Sequence, residues 1–204
     1  MNKEKPIVLA ITAASGMIYG IKTLEFLLKE GYKVELIISQ HSYYIAKQEM
    51  NLEIEHDSNN IKSNILSFIN LFDKSENLKI YLNDELWAGP ASGSYQISNM
   101  IIVPCSMATL AAISTGLAES LITRAADVII KERKNLVIVP RETPLSSIHL
   151  ENMLKLSNLG VRIVPPIAGF YGKIQSIDDC INFVVGKILD ACNIPNELYK
   201  RWHI

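Results

Sequence analysis

The sequence predicts an α/β protein: a parallel sheet with helices on both faces, folded as one domain. Three observations carry that expectation. Five short runs are almost wholly apolar and rich in β-branched residues, which suits strands buried on both faces. Segments with helical spacing lie between or after those runs, and a chain that alternates strand and helix builds a parallel sheet. At 204 residues, a single hydrophobic core can still grow without splitting.

The first run, residues 7–11, leads into the strand-to-helix turn Thr12-Ala13-Ala14-Ser15-Gly16, and Gly31 closes the helix that follows. The second run, 34–38, ends at Ser39. The polar stretch 51–64 reads as a surface excursion. Residues 82–95 contain Gly89-Pro90-Ala91-Ser92-Gly93-Ser94 without a clear period, so a long loop is expected; long loops in compact domains are usually functional or disordered. The third run, 100–103, opens onto Pro104-Cys105-Ser106-Met107-Ala108-Thr109, and the fourth, 136–139, onto Pro140-Arg141-Glu142-Thr143. Thr143-Pro144 predicts a cap and a first-turn proline for a helix that Gly160 terminates. The fifth run, 161–164, leads to Pro165-Pro166-Ile167-Ala168-Gly169-Phe170-Tyr171. In the last helix Ile177, Ile181, Val184, Val185 and Ile188 share a face, with Ser176 as N-cap and Asp179 three places on. No repeat, low-complexity segment or linker interrupts the expected domain, 1–204.

Composition excludes several classes. A net charge of -1 with 49% hydrophobic residues describes an ordinary globular protein and makes nucleic acid an unexpected partner. The start, Met1-Asn2-Lys3-Glu4-Lys5-Pro6, is polar, and the apolar run behind it is too short for a signal peptide or a membrane span, so a cytoplasmic location is expected. Cys105, Cys180 and Cys192 form an odd set without C-x-x-C spacing, against a disulfide framework or zinc site. His41, His56, His149 and His203 show no i,i+4 pairing, and no metal is expected.

Ligands of open parallel sheets bind outside the carboxyl ends of the strands. There this sequence places small hydroxyl residues at helix starts, together with Arg141 and Glu142, which describes an anion-binding cleft with one acid/base candidate. Simpler roles compete at each position. Ser15 and Ser106 are good N-caps with or without a ligand, and Arg141-Glu142 could be a local ion pair. Glu132, Arg133 and Lys134 read as a solvated helix end, Cys105 as an inert small hydrophobe, and His149 as a packed or surface residue.

The ordered motifs resemble the UbiX flavin prenyltransferases along essentially the whole chain. They are Ala13-Ala14-Ser15-Gly16-x-x-Tyr19-Gly20, Pro90-Ala91-Ser92-Gly93-Ser94, Pro104-Cys105-Ser106-Met107-x-Thr109-Leu110, Thr123-Arg124-Ala125-Ala126-Asp127-Val128, Lys131-Glu132-Arg133, Pro140-Arg141-Glu142-Thr143-Pro144, Phe170-Tyr171 and Gln175-Ser176-Ile177-Asp178-Asp179. The resemblance implies a flavodoxin-like or Rossmann-like fold and a homo-oligomer, typically a dodecamer, with active sites where subunits meet. It also implies transfer of a dimethylallyl group from dimethylallyl phosphate, or the diphosphate, to reduced flavin mononucleotide (FMN), whose prenylated form serves UbiD-type decarboxylases, some of them in ubiquinone synthesis.

By position, the resemblance assigns flavin contacts to Ala13, Ala14, Ser15, Ser39, Ser106, Met107, Ala108, Thr109 and Arg141. Lys131, Arg141, Tyr171 and Lys187 match places that hold the donor phosphate, with Lys131 reaching in from a neighbouring subunit. Arg124 and Ser92 match further donor-side places, and Glu49, Glu142, Ser15 and Trp202 match catalytic ones. The chain departs from the family pattern at Ala13, where glycine is usual, and at Lys187, where arginine is common. A related decarboxylase acting on a cysteinyl carboxylate would share the sheet and flavin site, but such enzymes resemble this chain less at Pro140-Arg141-Glu142-Thr143-Pro144. A flavin carrier would leave Lys131 and Lys187 without purpose. A dinucleotide-binding dehydrogenase would need G-x-G-x-x-G and an acid after the second strand, where Ser39 stands.

Overall fold

A computed structural model describes residues 3–202. Six parallel strands, β1 (Ile7–Ile11), β2 (Val34–Ile38), β3 (Leu78–Leu82), β4 (Asn99–Cys105), β5 (Asn135–Pro140) and β6 (Arg162–Ile163), form one sheet in the order β3-β2-β1-β4-β5-β6. This is the Rossmann order, in which the strand sequence reverses between β1 and β4 and leaves a crevice at their carboxyl ends. Around the sheet lie α1 (Met17–Lys29), α2 (Ser42–Met50), α3 (Ser58–Phe68), α4 (Met107–Thr115), α5 (Leu121–Lys131), α6 (Ser147–Asn158) and α7 (Ile177–Ala191).

Alternation within the buried strands divides the core in two. Ile7, Leu9 and Ile11 point into one cluster with α1, α3 and α7, while Val8 and Ala10 point into another with α4 and α5. Two glycines set the approach of α1 to the sheet. Gly16 takes φ +93 at the helix start, and a Cβ on Gly20 would come within 2.5 Å of the Val103 carbonyl oxygen. The left-handed position of the first motif is therefore Gly16; Ala13 is not among the positive-φ residues, so the alanine there meets no steric objection.

The structure corrects four expectations. A sixth strand, β3, was hidden because Lys79 interrupts its apolar pattern; it sits at the sheet edge, where one polar position is tolerated. The expected loop 82–95 therefore begins inside β3, and its Gly89–Ala91 segment forms a 3-10 turn. The second half of the polar stretch 51–64 is α3, capped by Asp57, which accepts from the Asn60 amide at 2.7 Å. The helix before Gly160 starts at Ser147: Ser146, not Thr143, is its N-cap, locked reciprocally with His149. Among the described residues no helix is long and apolar enough to cross a membrane.

Candidate active site

The carboxyl ends of β1 and β4 are joined by Thr12, which is buried. Its hydroxyl donates to the Pro104 carbonyl at 2.9 Å and accepts from the Ser106 amide at 2.8 Å, while its own amide donates to Pro104 at 3.1 Å. The switch-point crevice thus has a floor bonded at both strands. Ser106 then caps α4, accepting from the Thr109 amide at 3.2 Å and donating to the Thr109 hydroxyl at 3.0 Å. The amides of Met107 and Ala108 have no acceptor within the helix, which makes this start a place for an anion. Ser39 is held at the end of β2 against β1: its amide donates to Ile11 at 2.9 Å and its hydroxyl lies 2.7 Å from that of Ser42.

The other helix start is already engaged. Gly16, the N-cap of α1, offers no side-chain cap, and the Glu49 carboxylate from α2 accepts from Gly16 and Met17 amides at 2.9 and 3.0 Å. A carboxylate here complements the positive end of the helix dipole. Ser15 is therefore not the N-cap of α1. It borders the crevice, half-buried, together with Ala13 and Ala14.

Arg141 and Glu142 follow β5 at the same rim and are exposed. The Arg141 amide donates to Cys105 at 3.1 Å, and the Glu142 carboxylate accepts from the Thr143 amide at 2.9 Å. These two side chains form no ion pair with each other among the described residues, so the local-pair reading does not hold. Tyr19 on α1 lies within the electrostatic reach of both Arg141 and Cys180 on α7. Burial, then the Cys180 thiol, push its pKa up, and the Arg141 charge pulls it down. Burial likewise pushes the Cys105 thiol far up, which leaves it inert as a nucleophile.

A second group flanks β6. The Tyr171 ring meets Trp202 edge-on at 5.4 Å and Phe183 at 5.8 Å, and Phe183 meets Tyr199 at 5.0 Å. Asp190 is the hub beneath them. It accepts two hydrogen bonds from Arg201, at 2.9 and 3.1 Å, one from Asn196 at 2.9 Å and one from the Tyr199 hydroxyl, and lies 3.9 Å from the Lys187 ammonium. This net fastens the carboxyl-terminal segment to α7. Sequence spacing shows only the Lys187–Asp190 relation, three apart on one helix; Asn196, Tyr199 and Arg201 lie past the end of α7, where no helical period relates them to Asp190.

A third group stands apart. Lys131 ends α5 four residues before β5 begins, which puts it by the amino rim of the sheet, opposite the crevice. The Arg124 Nε donates to the Ala91 carbonyl at 3.2 Å and its Nη1 to Asp127 at 2.7 Å. Gly93 lies under the Lys131 side chain, and Ser92 and Ser94 hydroxyls are 3.0 Å apart. The chain gathers Ser92, Arg124 and Lys131, but not beside Arg141. Trp87, which the sequence reading passed over, is 81% exposed on the same connection. No group of His, Cys, Asp or Glu able to hold a metal occurs among the described residues.

The profile of the Flavoprotein family matches residues 1–189. The flavin prenyltransferase UbiX of Methanocaldococcus jannaschii is 45% identical over 196 residues, covering 96% of this chain and 97% of its own length. That of Pseudomonas aeruginosa is 41% identical, covering 99% and 96%. Among solved structures, AnUbiX (PadA1) in complex with FMN and dimethylallyl pyrophosphate superposes with a TM-score of 0.86 at 38% identity, covering 98% of this chain and 97% of that one. The dodecameric FMN-dependent UbiX-like decarboxylase of Escherichia coli O157:H7 superposes with a TM-score of 0.85 at 33% identity, covering 97% and 99%.

Proposed function

The chain belongs to the Flavoprotein family and within it to the UbiX flavin prenyltransferases, and from that premise we propose that it transfers a dimethylallyl group from dimethylallyl phosphate to N5 and C6 of reduced FMN. The observation that carries this reading is the crevice floor: Thr12 bonds the β1 and β4 ends together and leaves the capped start of α4 open to an anion. The residues present fit FMN. Ser39, Ser106 and the Met107 and Ala108 amides supply donors for a phosphate without a metal, and Ala13, Ala14, Ser15 and Arg141 border the space beside them.

When bound, reduced flavin supplies the nucleophilic N5 and then C6, and phosphate departs from the allylic carbon. The chain's part is to bind, orient and neutralise. Arg141, Lys187 and the Tyr171 hydroxyl take up the charge of the leaving phosphate, an electrostatic role worth most where water is excluded. Lys131, Arg124 and Ser92 perform the same service in the crevice of a neighbouring subunit. Glu142 moves a proton at the flavin, while Trp202 and Tyr171 offer aromatic faces to an allylic cation. Ser15 and Glu49 complete the catalytic set, Glu49 from its seat on the α1 amides.

A homo-oligomer follows from this division, and the dodecameric E. coli relative supports it. Prenylated FMN passing to a UbiD-type decarboxylase, and a cytoplasmic setting in keeping with three free cysteines, complete the proposal.

The test is to incubate the protein anaerobically with reduced FMN and dimethylallyl phosphate, and separately with the diphosphate, then measure the mass of the flavin. A gain of one prenyl unit is expected. An unchanged flavin with both donors would sink the proposal.

A further inference from the structure

We propose that Glu35 and Tyr95 are positioning residues for the prenyl donor: a buried hydrogen bond between them ties the segment carrying Ser92 to the sheet and so sets Ser92 beside Arg124 and Lys131. The inference rests on the proposed function, because it presumes that this trio meets the donor phosphate.

Glu35 is an anomaly in the sheet. It lies on β2 between Val8 of β1 and Lys79 of β3 and is 4% exposed, in a position where an apolar side chain would serve the core without cost. One carboxylate oxygen accepts from the Tyr95 hydroxyl. The other makes no hydrogen bond among the described residues. Burial pushes the Glu35 pKa up, while the Tyr95 hydrogen bond and the Lys79 charge pull it back. No part of the crevice uses this carboxyl, so its purpose is to be sought at Tyr95.

Tyr95 is the foot of the connection from β3 to β4, held at four points. Its hydroxyl reaches Glu35. Its ring lies so close to Gly89 that a Cβ there would come within 2.8 Å. Its amide donates to the Ser92 carbonyl at 3.2 Å, and its carbonyl accepts from the Lys134 ammonium at 3.3 Å. The far side of the same segment is bonded to α5 through Arg124 and Ala91, and a Cβ on Gly93 would come within 2.7 Å of the Lys131 nitrogen. One short segment, standing on Tyr95, therefore locates a hydroxyl relative to Arg124 and to the ion pair that Lys131 makes with Glu132. Removing the Tyr95 hydroxyl frees the foot and strands a buried carboxyl, while replacing both partners by apolar groups frees the foot and strands nothing.

The experiment uses the full-length assembled protein and three forms: Tyr95→Phe, Glu35→Gln and the double form Glu35→Leu/Tyr95→Phe. Prenylated flavin formation is followed against dimethylallyl phosphate concentration, alongside FMN affinity, melting temperature and amide hydrogen exchange across residues 89–94. Tyr95→Phe should raise KM for the donor about tenfold, the scale of one hydrogen bond to a charged group, with kcat and FMN affinity near those of the unaltered protein. Glu35→Gln keeps an acceptor for Tyr95 and should stay near the original KM. The double form should regain melting temperature but keep the raised KM, which a merely structural role would not produce. An unchanged donor KM in Tyr95→Phe, or in the double form should the single one not fold, overturns the inference whatever happens to stability. If the unaltered protein forms no prenylated flavin, the proposed function fails. This inference then falls with it, whereas a failure of the inference alone shows as prenylated flavin formed with an unchanged donor KM in Tyr95→Phe.

Discussion

Arg141 and Lys131 sit at opposite rims of one sheet, and this separation yields a quantitative expectation for mixed assemblies. β5 has 6 residues and runs from near Lys131 to Arg141; at about 3.3 Å per residue the rims lie roughly 20 Å apart, several times the reach of a hydrogen bond. If the proposed reaction uses both cations, each crevice must borrow Lys131 from a neighbour. Lys131→Ala and Arg141→Ala should each lower turnover on the order of 100-fold, the usual result of removing one donor to developing charge. Co-expressed in equal amounts, they should recover activity. A site is whole when its own chain keeps Arg141 and its neighbour keeps Lys131, so random assembly leaves about a quarter of the sites intact. The assay is prenylated flavin formation by purified mixed oligomers carrying two different tags. Mixed assemblies no more active than either variant alone would refute the division of the site between chains.

Glu142→Gln should slow turnover by about 100-fold or more, the usual share of a general acid or base, while FMN affinity stays level; full activity would remove Glu142 from the proton pathway. Gly20→Ala should destabilise the fold by about 1–2 kcal/mol in denaturant titration, because overpacking against Val103 outweighs the better helix propensity of alanine. An unchanged midpoint would mean that α1 is not held as closely as described. Asp190 is held below the ordinary aspartate value: burial acts to raise its pKa, but hydrogen bonds from Arg201 and Tyr199, the Arg201 charge and Asn196 together outweigh it. Its folded pKa is depressed, so its stabilising contribution is complete above about 3.8 and drains away as pH falls through the lower folded value. Trp202 fluorescence should report release of the carboxyl-terminal segment in that acid range, and in Arg201→Ala the release should shift to higher pH.

How much of this could be read from sequence depended on the range of the forces involved. Strands 7–11 and 34–38 and the cap at Ser176 were legible because continuous burial and N-capping write themselves into neighbouring residues. β3 was not, since an edge strand tolerates Lys79 and loses its period. The start of α6 was misplaced by one cap because Thr143 and Ser146 are both good capping residues, and only the reciprocal bond with His149 chooses between them. At the site, the strand-end serines were legible as helix starts, and Ser106 fills that role. Glu49 at the α1 amides was not, because it joins segments far apart in the chain, and the Asp190 hub was not, because Asn196, Tyr199 and Arg201 lie past the end of α7, where no helical period links them to Asp190. The order of motifs carried the family likeness; it carried no information on which rim each residue would occupy.

The carboxylate of Glu49 has one further consequence. A helix start with bare amides collects whatever anion the solution offers, and two such starts side by side would compete for the same phosphate. Here one port is closed from within by a charge the chain brings itself, and the other is left open. In the proposed function, a phosphorylated molecule would then find its open amides at the start of α4 and not at that of α1.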